Sequence, residues 1–397
     1  MELESRFAAA HRNLCTIATT GTNGKTTTTA MVASIVTASG ELPARLTTVG
    51  AWVGCDQVPA PTPTEEFLFT VESAVKLGVK TLALEVTSKA LGEGLAKRWP
   101  PQIAVFTNLT RDHLDMHGSP EAYLAAKAQL FMALAPGGTA VLNADDASSA
   151  LIGELLAPGV HLRTFSVKGE ATLAARAVEL APGKTTIHLA PSRLADALGG
   201  RLELGVSGGV HAQNALGAAL ATHAAGYSPA AIRTGLEAFR GVAGRFEMVH
   251  REPLIVVDYA HTPDGLVGTL ATARELCRGR LICVFGCGGD RDKGKRPQMG
   301  AIVDERADLA ILTTDNPRFE DPAAIARDVE AGSQANARWI VELDRAKAIE
   351  LAVAEARPGD VVVIAGKGHE LVQEVCGVET AFSDVEVARR AVGTQAG

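Results

Sequence analysis

No stretch of the 397-residue sequence approaches roughly 18 uninterrupted apolar residues, which excludes a helical membrane span. A basic surplus is lacking as well: 38 Lys and Arg stand against 45 Asp and Glu, a formal net charge of -7. That balance does not suit a nucleic-acid groove and reads as ordinary solubility. No C-x-x-C pair occurs among the six cysteines (Cys15, Cys55, Cys277, Cys283, Cys287, Cys376), several of which fall within apolar runs. They are expected to be reduced core thiols of a reducing cytosol, without a metal or disulfide role. No basic n-region precedes an apolar run at the start. Residues 1–10, with Glu2, Glu4 and Arg6 among apolar positions, read as a short amphipathic helix and not as a signal peptide. Internal repeats and low-complexity tracts are missing too.

What is present is a globular composition, 47% hydrophobic and 21% charged, with length for two or three domains. Short β-branched apolar runs alternate with helical patterns, the sign of parallel α/β layers. Strands are expected at 14–18, 80–86, 103–108 and 139–143, with helices at 27–38 and 120–134. Between about 171 and 204 the helical period disappears, which suggests an antiparallel flank on the sheet; helices at 211–225 and 229–238 follow. Gly241-Val242-Ala243-Gly244 reads as a hinge. Beyond it lies a second α/β unit with strands at 254–257, 281–285, 309–313 and 361–365 and helices at 263–277, 322–332 and 345–356. Two α/β domains, 1–243 and 244–397, with a ligand cleft between them are the expectation.

Gly21-Thr22-Asn23-Gly24-Lys25-Thr26 sits between a strand and a helix, where a phosphate-binding loop belongs. Its glycines let backbone N–H groups converge on phosphate oxygens, and the helix start adds its positive dipole end. Lys25 would reach the terminal phosphates and Thr26 would hold Mg2+ through its hydroxyl. The strict pattern wants Gly five residues before Gly24, and that position is Thr19. Taken alone, this variant loop does not separate a ligase from a motor or a switch GTPase.

Longer motifs do. Thr20 to Thr27, Phe106-Thr107-Asn108-Leu109-Thr110-Arg111-Asp112-His113-Leu114-Asp115 and Tyr123-Leu124-Ala125-Ala126-Lys127 resemble signatures of the Mur ligases. In the second half, Asp258 to Asp264, Phe285 to Pro297, Asp315-Asn316-Pro317-Arg318 and Gly366-Lys367-Gly368-His369-Glu370 resemble the diaminopimelate-adding branch of that family. The resemblance runs from about Thr16 to Arg389. It implies a P-loop-type central ATPase domain with a mostly parallel sheet, followed by a Rossmann-like C-terminal α/β domain that binds the amino acid. It also implies a cytoplasmic monomer that activates a carboxylate with ATP as an acyl phosphate and couples it to an amine, with only small molecules as partners.

Residue by residue, the resemblance carries over as follows. Gly21, Thr22, Asn23, Gly24, Lys25, Thr26 and Thr27 hold the triphosphate; Asn214, Arg245 and Asp258 contact the nucleotide, and His261 lies near the phosphates. Thr26, Glu85, His113 and Lys127 match positions that hold two Mg2+ ions, with Lys127 carrying a CO2-derived carbamate. Lys25, Lys127, His113 and His261 form the catalytic set. On the acceptor side Arg291, Asp315, Asn316, Arg318, Gly366 and Glu370 match contacts to the amino acid, where an arginine fork grips a carboxylate and a carboxylate grips an ammonium.

The departures fall on the carboxylate donor's side. The phosphate loop begins about twenty residues from Met1, so the family's N-terminal uridine-nucleotide domain, of ordinary domain size, is expected to be absent. A substrate-side segment reads Ala60-Pro61-Thr62-Pro63, and Thr87-Ser88-Lys89 follows the metal glutamate, with Arg98 the nearest arginine. Thr62, Thr87, Ser88 and Arg98 are therefore the donor-side candidates. Together these point to a diaminopimelate-like acceptor and a donor without a UDP handle. The alternative is a UDP-N-acetylmuramoyl-tripeptide synthetase of peptidoglycan synthesis, its first domain missing or supplied separately. A non-catalytic nucleotide-binding subunit would show damage at Lys25, His113 or Lys127, and none of them is damaged.

Overall fold

The computed structural model describes residues 2–60, 62–110 and 114–395. The chain divides into two compact units, residues 1–179 with 184–240, and residues 180–183 with 241–397.

In the first unit an eleven-stranded sheet runs, in spatial order, Arg201–Leu204, Lys184–Leu189, Leu173–Ala181, His161–Ser166, Thr139–Asn143, Ile103–Phe106, Cys15–Thr20, Thr81–Glu85, Pro43–Thr47, Gly50–Val53, Asp56–Gln57. From Leu173–Ala181 to Pro43–Thr47 every pairing is parallel. Thr81–Glu85 and Ile103–Phe106 are buried at every position, as strands covered on both faces must be. The expected antiparallel flank is there, Lys184–Leu189 pairing antiparallel with Arg201–Leu204. The strand predicted to run to Asn108 stops at Phe106, because Thr107 and Asn108 turn toward the phosphate loop.

Helix Lys25–Ala38 packs against Gly209–Ala224 and Pro229–Ala238. Gly235 permits the second of these contacts, since a Cβ there would run into the Ile35 backbone, and Ser34 Oγ donates to the Gly235 carbonyl at 2.7 Å. The expected opening helix forms over Glu2–His11 and buries Phe7 among Phe67 and Trp99, with ring centroids 5.4 and 6.0 Å away. Trp99, 1% exposed, donates its indole N–H to Thr16 at 2.8 Å and so ties this aromatic cluster to the central strand.

The second unit has a six-stranded sheet in the order Glu247–Arg251, Leu254–Asp258, Val361–Ala365, Leu281–Phe285, Leu309–Leu312, Arg338–Val341. Only the first pair is antiparallel. A separate hairpin joins Val372–Val375 to Val378–Ala381.

The cysteines correct one expectation. Cys283 and Cys287 are core residues, and burial lifts the Cys287 thiol to about 12. Cys55 and Cys376, however, are exposed, because each lies in a turn between paired strands and not within a strand. Among the described residues no helix is long and apolar enough to cross a membrane.

Candidate active site

In both units the motif loops sit at the carboxyl ends of parallel strands, where α/β sheets bind ligands. The first follows Cys15–Thr20. Gly21 (φ 150°) and Gly24 (φ 85°) take backbone conformations that L side chains rarely adopt, and the helix begins at Lys25, two residues before the predicted Thr27. The loop is laced to the Thr107–Thr110 segment. Thr22 N donates to the Asn108 carbonyl at 2.8 Å, Asn23 N to Asn108 Oδ1 at 2.8 Å, and Thr107 Oγ1 to the Asn23 carbonyl at 2.6 Å. Lys25 Nζ folds back onto the Thr22 carbonyl at 2.6 Å. Asn214, in the helix Gly209–Ala224, stands against Gly24.

Lys127 is 1% exposed; its Nζ donates to the Gly21 carbonyl at 2.7 Å and lies 4.3 Å from the Tyr123 ring centroid. Glu85, buried at the end of the neighbouring strand, pairs in register with Thr19. Thr48 holds its carboxylate through N at 3.1 Å and Oγ1 at 3.3 Å. Glu85 and the Thr26 hydroxyl are hard oxygen donors near the loop. Among the described residues no group of three His, Cys, Asp or Glu forms a metal cage. That donor set fits Mg2+, which leans on substrate phosphates and few carboxylates. His113, Arg111 and Asp112 lie outside the described residues, as does Pro61.

The donor-side candidates are largely engaged locally. Thr62 caps the helix Pro63–Lys76 and Thr87 caps Ser88–Gly92. Ser88 is buried against His117 Nε2 at 3.0 Å. Arg98 is exposed and donates to the Glu93 carbonyl at 3.0 Å, and among the described residues no hydrogen bond joins it to Thr87 or Ser88.

In the second unit four motif loops follow the strands ending at Asp258, Phe285, Leu312 and Ala365. Asp258 uses both carboxylate oxygens on its own surroundings, accepting from Phe246 N at 2.6 Å, Ala260 N at 2.8 Å and Thr269 Oγ1 at 2.9 Å. It thereby fixes the Arg245 turn, and the Arg245 guanidinium lies 4.2 Å from the Tyr259 ring centroid. Tyr259 also packs on His261 at 4.5 Å and His369 at 5.0 Å, and Lys295 Nζ donates to the His261 carbonyl at 2.9 Å. A Cβ at Gly244 would strike the Gly368–His369 backbone and one at Gly368 would strike Tyr259, so the Arg245 turn and the first motif both touch the last.

Asn316, Lys367 and Glu370 form one hydrogen-bonded cluster. Gly366 (φ 116°) lies against Asp315, where a Cβ would come within 2.6 Å of Oδ2. Arg318 is held at φ 51° with Nη1 on the Gly289 carbonyl at 2.7 Å, and Arg291 and Arg318 converge over Gly288. A left-handed arginine locked by its neighbours is the kind of backbone strain that functional sites retain. Glu320 pins this loop pair: hydrogen bonds from Arg296 and Lys293 and from Asp290 N bring its carboxyl down to about 2. Beneath the cluster, burial works against Arg345, but Asp384, Asp315 and Glu370 raise its pKa above the usual value.

Sequence reasoning passed over Thr48, Asn108, Lys367 and Arg345. Asn108 and Lys367 were visible as members of quoted motifs; Thr48 and Arg345 carry no local signal.

A family model of the Mur ligase middle domain matches residues 19–222, and one of the Mur ligase glutamate ligase domain matches 244–368. The chain is 41% identical over 396 residues to a UDP-N-acetylmuramoyl-L-alanyl-D-glutamate–2,6-diaminopimelate ligase of Bacillus velezensis, covering 96% of this chain and 79% of the relative. The corresponding ligase of Synechococcus elongatus is 42% identical over 388 residues, covering 95% and 76%. A solved structure of a ligase of that name superposes with a TM-score of 0.69 at 33% identity, covering 99% of this chain and 84% of the other. Mycobacterium tuberculosis folylpolyglutamate synthase complexed with ADP and AMPPCP shares the fold, with a TM-score of 0.73 at 20% identity over 100% and 94%.

Proposed function

The chain belongs to the Mur ligase family, an ATP-dependent, ADP-forming class of amide-bond ligases, and we propose that it joins 2,6-diaminopimelate to UDP-N-acetylmuramoyl-L-alanyl-D-glutamate. The observation that carries this reading is the acceptor cluster, in which Asp315, Asn316, Arg318, Gly366 and Glu370 lie within one network of loops. Relatives at 41–42% identity named for that reaction favour the UDP-bearing donor over one without a UDP handle. Residues 1–243 act as the ATP-binding part and 244–397 as the amino-acid-binding part of a cytoplasmic monomer.

In this reading the loop Gly21–Thr27 cradles the triphosphate, with Asn214, Arg245, Asp258 and His261 contacting the nucleotide. Thr26, Glu85 and His113, with a carbamate on Lys127, hold two Mg2+ ions. Bound Mg2+ supplies charge neutralisation where two anions must meet. Lys25, which rests on the Thr22 carbonyl, would turn to the terminal phosphates and favour transfer of the terminal phosphoryl group to the donor carboxylate. The amine of diaminopimelate, oriented by the arginines and Glu370, attacks the resulting acyl phosphate. The amide forms, the C–O bond to phosphate breaks, and inorganic phosphate leaves with the amine's proton passing to a nearby base.

Phosphate release with ATP, diaminopimelate and either the UDP-muramoyl dipeptide or the same dipeptide without its UDP tests the reading. Turnover is expected with the former. Equal or better turnover with the UDP-free donor overturns it.

A further inference from the structure

Lys367 is an unusual member of the acceptor cluster, because its side chain is 0% exposed while that of Glu370 is 30% exposed. Its ammonium donates to Asn316 Oδ1 at 2.8 Å and to Glu370 Oε2 at 3.0 Å. Asn316 Oδ1 also accepts from Glu374 N at 3.0 Å, and Asn316 Nδ2 donates to Glu370 Oε2 at 2.9 Å. An ammonium has three donors and no acceptor, so it can face only the oxygen end of an amide. Turned over, the Asn316 amide would set its N–H groups against an ammonium and a backbone N–H.

We infer that Lys367 is a positioning residue of the acceptor site, fixing the orientation of the Asn316 amide and the Glu370 carboxylate. It cannot touch the amino acid itself, since it is closed off behind Glu370. Glu370 Oε2 takes two donors, while Oε1 accepts no hydrogen bond among the described residues and is left for the ammonium of an incoming amino acid. With Oδ1 occupied twice, the second Nδ2 hydrogen is what the Asn316 side chain can offer to a ligand carboxylate. The pair thus presents one donor and one acceptor in a fixed order, complementary to a zwitterionic amino-acid head. This inference rests on the acceptor reading given above.

Initial rates with UDP-N-acetylmuramoyl-L-alanyl-D-glutamate, ATP and meso-diaminopimelate separate the possibilities in four proteins: the unaltered enzyme, Lys367→Met, Glu370→Gln and the double variant. Each single variant should raise the KM for diaminopimelate about tenfold or more, while the KM for ATP moves less than about threefold. The double variant should be no worse than the weaker single one, because residues acting as a unit are not additive. It leaves no lone buried charge, so it remains measurable even should Lys367→Met fail to fold, and its KM is then compared with that of Glu370→Gln. A Lys367→Met enzyme that melts earlier but keeps its diaminopimelate KM overturns the inference, as does a double variant whose KM is the product of two independent effects. A Glu370→Gln enzyme with an unchanged diaminopimelate KM sinks the acceptor reading itself, and this inference with it.

Discussion

Asn214 stands so close to Gly24 that a Cβ on that glycine would overlap the asparagine's amide oxygen. The helix Gly209–Ala224 and the phosphate loop therefore meet through a glycine that also needs its left-handed φ of 85°. Gly24→Ala combines about 1–2 kcal/mol of backbone strain with displacement of Asn214. The KM for ATP should rise about tenfold or more, with the KM for diaminopimelate little changed, in a phosphate-release assay. An ATP KM within about twofold of the unaltered enzyme would refute the role given to this contact.

Arg345 and Asp384 meet through two hydrogen bonds of 2.7 Å, and neither side chain is exposed. Arg345 also donates to the carbonyls of Thr314 and Ala365, one residue before Asp315 and Gly366. Removing one partner leaves an uncompensated buried charge, so Arg345→Met should cost about 3–5 kcal/mol in urea unfolding. Arg345→Met with Asp384→Asn should cost less than the single change. A single variant as stable as the double would contradict this.

Burial pushes His211 from its ordinary 6.5 down to about 4, and among the described residues neither ring nitrogen has a hydrogen-bond partner. The folded protein therefore excludes a proton that the unfolded chain binds between those values, and stability falls as pH falls through that window. Between pH 7 and pH 5 the loss from this group is about 2 kcal/mol. Glu320, brought down to about 2, contributes mainly below the unfolded value of 4.5 and so leaves this interval to the histidine. His211→Leu should flatten the stability profile over the same interval in urea titrations. Parallel profiles for the two proteins would count against it.

Much of this architecture could be read in advance. Val361–Ala365 and Leu281–Phe285 are continuous apolar runs because both faces of a parallel sheet are covered, and their bounds agree with expectation. Pro43–Thr47 opens on a proline, and the hairpin Val372–Val375 with Val378–Ala381 is largely exposed, so neither has that pattern. The helix Lys295–Arg306 begins with charged residues and a proline, which hid its period. Among site residues, the glycine-rich loops declare themselves through local backbone demands. Asn108 reaches Asn23 across 85 positions and Lys367 reaches Asn316 across 51, and no local pattern encodes such pairings. Thr62 and Thr87, donor-side candidates from their motifs, also cap helices with their hydroxyls.

In the proposed reaction ATP activates the donor carboxylate as an acyl phosphate before the amine attacks. Donor labelled with heavy oxygen in its reacting carboxylate, incubated with enzyme, ATP and diaminopimelate, tests this by mass spectrometry of the released phosphate. One labelled oxygen is expected in each phosphate formed. Unlabelled phosphate accompanying amide product would rule the acyl phosphate out.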